Sequence, residues 1–521
     1  MQEDLLKLVP IDPRGRIMFD YEVEDQRNEL ELAEAADADE TAEVKSEHGE
    51  DFRDPAELIE EFMQTLVLLI ERQPAASAKV LRLMVLCLSF ENENLATRAL
   101  EQLLDFLEAG GSYSELVVST LMSTLIPQLT DAKIPEHSRD LLLRALHMLA
   151  EEGEGVKEGM RPLAPTLAQW LGHASPSEAV LGVIASACRD TKTVLELREE
   201  RLARRIISLV QSRDARKWNR SRRIQLLRIA EWSARNDEKT SAEYSKAGIH
   251  NELLQELSGA VSTPGQFNEA KSEWVAQLVS TLDGLNLGSK HTRETTTKAG
   301  FVDRLLRVVA GQLNVRAPLL TACLNALVNA LEHADVLLAK KITYGLGGVV
   351  PLMQYISGRK YEQLAEQCGE EDEHGVVPLR LLRNKEMMAA ISAVCRVIRC
   401  YCIRANEGDA DAMDTCNKLD AAGREQVLFK AFEVPDDDLK VVVMECLLEV
   451  PVSNLQAEEV QNIVQIIANC DNLTVGSTEV IIGNAFQILR KMVLDDGDEG
   501  VHFRRFHAAT IHMALDIIVR N

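Results

Sequence analysis

The chain has 521 residues, 46% of them apolar but only 4% aromatic, with 28 glycines and 15 prolines. That length exceeds a single compact core, and so little glycine and proline excludes a fold of many strands and tight turns. The formal charge of -25 excludes a general affinity for nucleic acid or anionic membrane, which most of such a surface repels.

The ten cysteines are scattered. Cys87, Cys188, Cys323 and Cys446 fall inside apolar helical patterns and read as reduced core thiols rather than a disulfide framework. The first residues carry acids early and lack the basic-then-apolar pattern of a secretory signal. No apolar run approaches the roughly 18 residues of a membrane span. These features lead to the expectation of a soluble cytoplasmic protein from a reducing compartment, with no membrane or nucleic-acid partner.

Residues 1–53 differ from the rest. Pro10, Pro13 and Gly15 interrupt any early helix, and residues 17–25 alternate as an extended peptide would. From Asp20 to Glu61 there are 18 acids against three bases, a net of -15 in 42 residues. High charge with low hydrophobicity cannot offset chain entropy, so 26–53 is expected to be disordered in isolation. One reading is a solvating tail. The other is an acidic arm that docks on a basic surface, with Phe19 and Tyr21 as apolar anchors.

Residues 54–521 read as a helical array. Asp54 and Pro55 supply a cap and a first turn. Leu58, Phe62, Leu66 and Leu69 then mark one helical face. Helices are predicted over 78–90, 95–107, 116–129, 138–150 and 162–171, with glycine or proline at the joints. No sustained two-residue alternation bounded by hairpin dipeptides predicts a strand.

The repeat is explicit in the middle of the chain. KAGIHNELLQEL (246–257), KAGFVDRLLRVV (298–309) and TYGLGGVVPLMQYIS (343–357) are versions of one pattern. Gly248, Gly300 and Gly348 mark it at intervals of 52 and 48, which predicts lengthened loops at 258–266 and 283–294. Leu319, Cys323, Ala326 and Ala330 form one helical row, and Leu320, Leu324, Leu327 and Leu331 the next. Two adjacent rows mean a helix covered on both flanks, as in a solenoid.

Residues 345–353, GLGGVVPLM, resemble the armadillo signature in which glycine, apolar residues, proline and leucine open the third helix of a repeat. ALVNALEHADVLLAK (326–340) resembles the end of the preceding repeat. The resemblance covers about residues 240–360 and implies an all-α, right-handed armadillo/HEAT-like solenoid, with the acidic N-terminal segment as an extension. It implies that Asn329 faces a concave groove and contacts extended peptides. It also implies a non-enzymatic scaffold or interaction subunit of a large assembly. Such arrays are common in cilium and flagellum axonemes and central-apparatus complexes, which are microtubule-associated. The alternative is a soluble adaptor for peptide clients, of the nuclear-import or chaperone-cofactor type.

Two charged loop inserts are predicted near 358–384 and 405–425, with a strong amphipathic helix over 386–403 between them. A final helix at 506–519 reads as a cap.

The strongest local anomaly is basic. From Arg201 to Arg228 there are ten bases against one acid, Asp214. Arg213, Arg216, Lys217 and Arg220 lie at helical spacing, Arg223 follows, and Trp218 offers a ring for an arginine to stack on. The face is either solvated, a site for acidic protein partners such as tubulin tails, or a dock for residues 20–61. Nucleic acid comes last, because base-stacking aromatics are few.

Cys395, Cys400 and Cys402 lack metal geometry, since positions two apart on a helix point away from each other. The segment 284–292 lacks the Gly-Lys-Ser/Thr end of a phosphate loop. No catalytic triad, zinc motif or cofactor loop is present, so the expectation is no enzyme and no cofactor.

Overall fold

The computed structural model describes residues 136–450, with breaks at 153–158, 173–174, 263–267, 312–315, 363–376 and 433–435. It also describes 475–494, 462–463 and isolated helical positions between 97 and 129. The chain divides into two units, Met1–Asp54 and Pro55–Asn521, and every described residue belongs to the second. Phe19, Tyr21, the acidic stretch before Asp54 and the helix expected at 506–519 lie outside the described residues.

Among the described residues the regular elements are helical, with no strand. The array opens with α1 (Glu136–Glu152), α2 (Ala164–Leu171) and α3 (Glu178–Ala187). Helices then come in threes. The first triplet is α4 (Thr191–Glu199), α5 (Leu202–Gln211) and α6 (Arg220–Asn236). The second is α7 (Glu238–Lys246), α8 (Ile249–Ser262) and α9 (Glu269–Gly288). The third is α10 (Lys290–Lys298), α11 (Phe301–Gly311) and α12 (Ala317–Glu332). The fourth is α13 (Val336–Gly345), a 3-10 segment (Val350–Tyr355) and α14 (Val377–Asn406). The fifth is α15 (Ala410–Ala421), α16 (Arg424–Phe432) and α17 (Asp437–Glu449), and α18 (Val475–Leu494) follows.

The same local chemistry opens every triplet. Asp190, Asp237, Ser289, Asp335 and Asp409 each accept a backbone N–H of the first turn with the side chain. Such a cap is worth about 1 kcal/mol. At two of these joints a threonine doubles the bond: the hydroxyls of Thr193 and Thr240 donate to Asp190 and Asp237 at 2.7 Å. Between the first and second helix stands a residue with left-handed backbone: Gly248, Gly300, Gly348 and Gly423 in four triplets, Arg201 in the remaining one.

The third helices stack into a spine. α1, α3, α6, α9, α12, α14, α17 and α18 pack in that order, each on the one before. α12 shows why. Leu319, Leu320, Cys323, Leu324, Leu327 and Leu331 are fully buried, Ala330 partly so, and the helix packs on both α9 and α14. At the close approach of α9 to α6, a Cβ on Gly284 would stand 2.9 Å from the Glu231 carbonyl, and one on Gly288 would stand 2.2 Å from that of Ala234. Those glycines let the two helices nearly touch.

Several expectations change. The glycine mark opens the second helix of a triplet, not the third: Gly348 precedes the 3-10 segment, and α14 is the third helix. Residues 283–294 are no loop. α9 runs through Gly288 and only Ser289 separates it from α10, so the extra repeat length sits in a 20-residue helix. Residues 405–425 are helical as well, since α15 spans Ala410–Ala421, buries Ala412, Cys416 and Leu419, exposes Asp411 and Asp414, and turns Asp420 to the buried Arg424. At 358–384, α14 already begins at Val377.

Candidate functional site

The basic stretch does not lie on one helix. α5 ends at Gln211, residues Ala215–Lys217 form a 3-10 turn, and Trp218 is extended. Asn219 then caps α6 by accepting the Arg222 N–H at 2.9 Å. Arg213, Arg216, Lys217 and Arg220 are therefore presented by a loop and a helix start at the rim of the array. Their helical spacing in the sequence is not realised in space.

Three of the five named bases, Arg216, Lys217 and Arg223, are already in ion pairs. Arg216 pairs with Glu252 at 3.0 Å, and Arg223 pairs with Glu256 at 2.7 Å and lies 4.4 Å from the centroid of the Trp274 ring. Both acids stand on α8, one turn apart, so these pairs tie the first triplet to the second. Trp218 carries Arg222 at 3.9 Å from its ring centroid, and Arg222 also donates to Ser175 at 2.8 Å. Burial lowers the Arg222 pKa, and Glu178 works against that shift. Lys217 pairs with Asp214 at 3.0 Å, with both side chains mostly exposed; such pairs contribute about 0–1 kcal/mol.

Arg201, Arg204, Arg213 and Arg220 are exposed and form no ion pair among the described residues. Arg201 is further marked by its backbone, with φ 66° and ψ 35°, the only non-glycine residue with positive φ among those described. A non-glycine there costs about 1 kcal/mol or more.

A pocket of about 330 Å³ opens beside the two ion pairs. Leu209 and Val210 of α5, Leu226 and Leu227 of α6 and Leu253 of α8 line it, and Trp274 closes one wall. Gln255 stands exposed at its edge.

Asn329 lies elsewhere, on the spine. Asn329, Asp283 and Glu231 are equivalent, each six residues before the cap of the following triplet. Asn329 Nδ2 donates to Asp283 Oδ2 at 2.8 Å. Arg235 bridges Asp283 at 3.0 Å and Glu231 at 3.3 Å, and Gln277 donates to Glu231 at 2.9 Å. Burial pushes Asp283 up to about 6 and raises Glu231, against the opposing pull of Arg235 on both. Further along, Arg189 and Arg235 each stand 5.5 Å from the centroid of the Trp232 ring, and Asn236 donates to the carbonyls of Cys188 and Arg189. This polar ladder is wired into the protein itself.

Reading the sequence missed Glu252, Glu256 and Trp274. Their only signal is the repeat register that sets α8 and α9 beside α6. It also missed a thiol cluster. Cys416 donates to Cys402 across 4.0 Å, and the fully buried Arg424 donates to Cys402 at 3.5 Å. The bond to Cys402 and burial raise the Cys416 pKa. No group of His, Cys, Asp and Glu fit to hold a metal ion occurs among the described residues.

The helix triplets, their left-handed junctions and the continuous spine make this an all-α repeat array of the armadillo/HEAT-like class, a fold suited to protein–protein interaction. No protein-family model and no curated protein sequence matches the chain. Among solved structures, an engineered protein from a structural genomics consortium aligns at 15% identity over 84% of this chain and 94% of its own, with TM-score 0.42. The designed armadillo repeat protein YIII(Dq)4CqI aligns at 18% identity over 47% of this chain and 99% of its own, with TM-score 0.36. A second designed armadillo repeat protein, solved in complex with the peptide (KR)4, aligns at 17% identity over 47% of this chain and 98% of its own, with TM-score 0.36.

Proposed function

We propose that this chain is a non-enzymatic scaffold that holds acidic segments of protein partners against the rim formed by residues 201–223. The observation that carries this reading is the set of unpaired arginines. A chain of net charge -25 has acids in excess, yet Arg201, Arg204, Arg213 and Arg220 are exposed with no acid paired to them among the described residues. Cations held apart from available acids attract an acidic partner from a distance and steer its approach. Reversing Arg213 and Arg220 to glutamate tests the reading, with binding to a hexaglutamate peptide as readout. Unchanged binding would leave the face merely solvated.

The setting proposed for such a scaffold is a large, stable assembly, with a microtubule-based axoneme as the first candidate because tubulin tails are dense in acid. Co-sedimentation with microtubules before and after proteolytic removal of the tails checks this, and pelleting that ignores the tails counts against it. The second reading, an adaptor holding peptide clients in the groove through Asn329, meets an obstacle. The Asn329 amide already donates to Asp283.

A further inference from the structure

The pocket beside the rim has a use that charge alone does not explain. We infer that it receives one apolar side chain, best an aromatic one, from an extended acidic segment of a partner protein. This rests on the reading of the rim as a face for acidic partners and deepens it.

The volume fits. A cavity of about 150 Å³ lined by aliphatic groups holds a benzene ring, and this open pocket offers about 330 Å³ between Leu209, Leu226, Leu227 and Leu253 on its apolar side and the paired Arg216, Arg223, Glu252 and Glu256 on its polar side. The charges are arranged to match. Glu252 and Glu256 neutralise Arg216 and Arg223 at the pocket wall, so an apolar group entering there leaves no charge unpaired. Two of the cations without an ion pair among the described residues, Arg213 and Arg220, stand three residues before Arg216 and four after it. Among the described residues Lys217 is held by the exposed Asp214. An apolar residue flanked by carboxylates would fill the neutral pocket while its neighbours meet the free cations outside. A purely acidic peptide would use the cations and leave the pocket empty. A purely apolar one would lack the attraction that brings it there.

Fluorescence anisotropy of the full chain with two labelled peptides tests this, one of six glutamates and one with phenylalanine at the centre of the same run. The phenylalanine peptide should bind about tenfold more tightly, the effect of burying one such side chain in part. Gln255→Trp lays a ring over the opening from an exposed position and should erase that increment while hexaglutamate binding persists. Val210→Phe, which adds bulk to the pocket lining from α5, should do the same. Equal affinity of the two peptides, or an increment that survives both variants, overturns the inference and leaves the charged face standing. Binding of neither peptide overturns both. A peptide of residues 17–25 of this chain that binds as tightly as the phenylalanine probe assigns the pocket to the chain's own segment and overturns the partner.

Discussion

Asn329 donates its amide to Asp283 across 2.8 Å, from one spine helix to the one before it. The same carboxylate receives Arg235 from the helix before that, so three successive repeats meet on one buried acid. Burial nevertheless dominates and pushes Asp283 up to about 6. In the unfolded chain an aspartate titrates near 3.9, so between about pH 4 and 6 the folded state keeps a proton that the unfolded state releases. Stability from this group therefore falls as pH rises through that window and levels off above it. Asp283→Asn should flatten the slope by up to about 3 kcal/mol between pH 4 and 7, measured as urea midpoints. Glu231, raised in the same sense, leaves a residual slope. A variant whose profile runs parallel to the parent would mean that Asp283 is ionised throughout.

Gly288 and Gly259 should respond to alanine with opposite sign. A Cβ at Gly288 meets the Ala234 carbonyl at 2.2 Å and Ser241 Cβ at 2.7 Å, so α9 must move off α6. Gly288→Ala should cost about 2–3 kcal/mol. A Cβ at Gly259, inside α8, meets no atom within 4 Å, and Gly259→Ala should gain about 0.8 kcal/mol from helix propensity. Thermal melts of both variants decide the matter.

Arg201 occupies a junction where four other triplets place glycine. Arg201→Gly removes the left-handed strain but adds freedom to the unfolded chain, leaving a net gain of about 0.5–1 kcal/mol. It also deletes one of the free cations. If Arg201 is retained for partner binding, the variant melts higher and binds hexaglutamate more weakly. A higher melt with unaltered binding would make the arginine at this junction a tolerated defect.

The difference between what was legible in the sequence and what was not has a local cause. Gly248, Gly300 and Gly348 stood out because a left-handed junction demands a residue without a Cβ, and the demand shows in the residue type. Arg201 meets the same demand at a cost, so nothing in its type reveals the junction. The acids before Gly423 suggest a loop and so hide it, but Asp409 caps α15, Asp411 and Asp414 lie on its exposed face, and Asp420 meets Arg424. The loop after Gln211 resembles helix in the sequence because Arg213 to Arg220 holds neither glycine nor proline, although Asn219 is a cap residue in plain view. Asn329 was visible through its resemblance. Its equivalents Glu231 and Asp283 were not, because only the cap residues that follow them establish the register.

Arg424 sets the last expectation. It is fully buried at the start of α16, bonded to Asp420 and, at 2.8 Å, to Glu425, with the Cys402 sulfur at 3.5 Å. Glu425 is itself buried. A guanidinium serves here because its forked donors reach several acceptors at once, which an ammonium cannot do in one plane. Removing it strands the Glu425 carboxylate without a counter-charge. Arg424→Met should therefore destabilise the chain by about 3 kcal/mol, the usual cost of breaking a buried pair from one side. Adding Glu425→Gln to that variant removes the stranded charge and should recover a large part of the loss. The double-mutant cycle, read by urea denaturation, separates this from simple packing: if the second substitution recovers nothing, Arg424 acts by filling space between α14, α15 and α16 rather than by its charge.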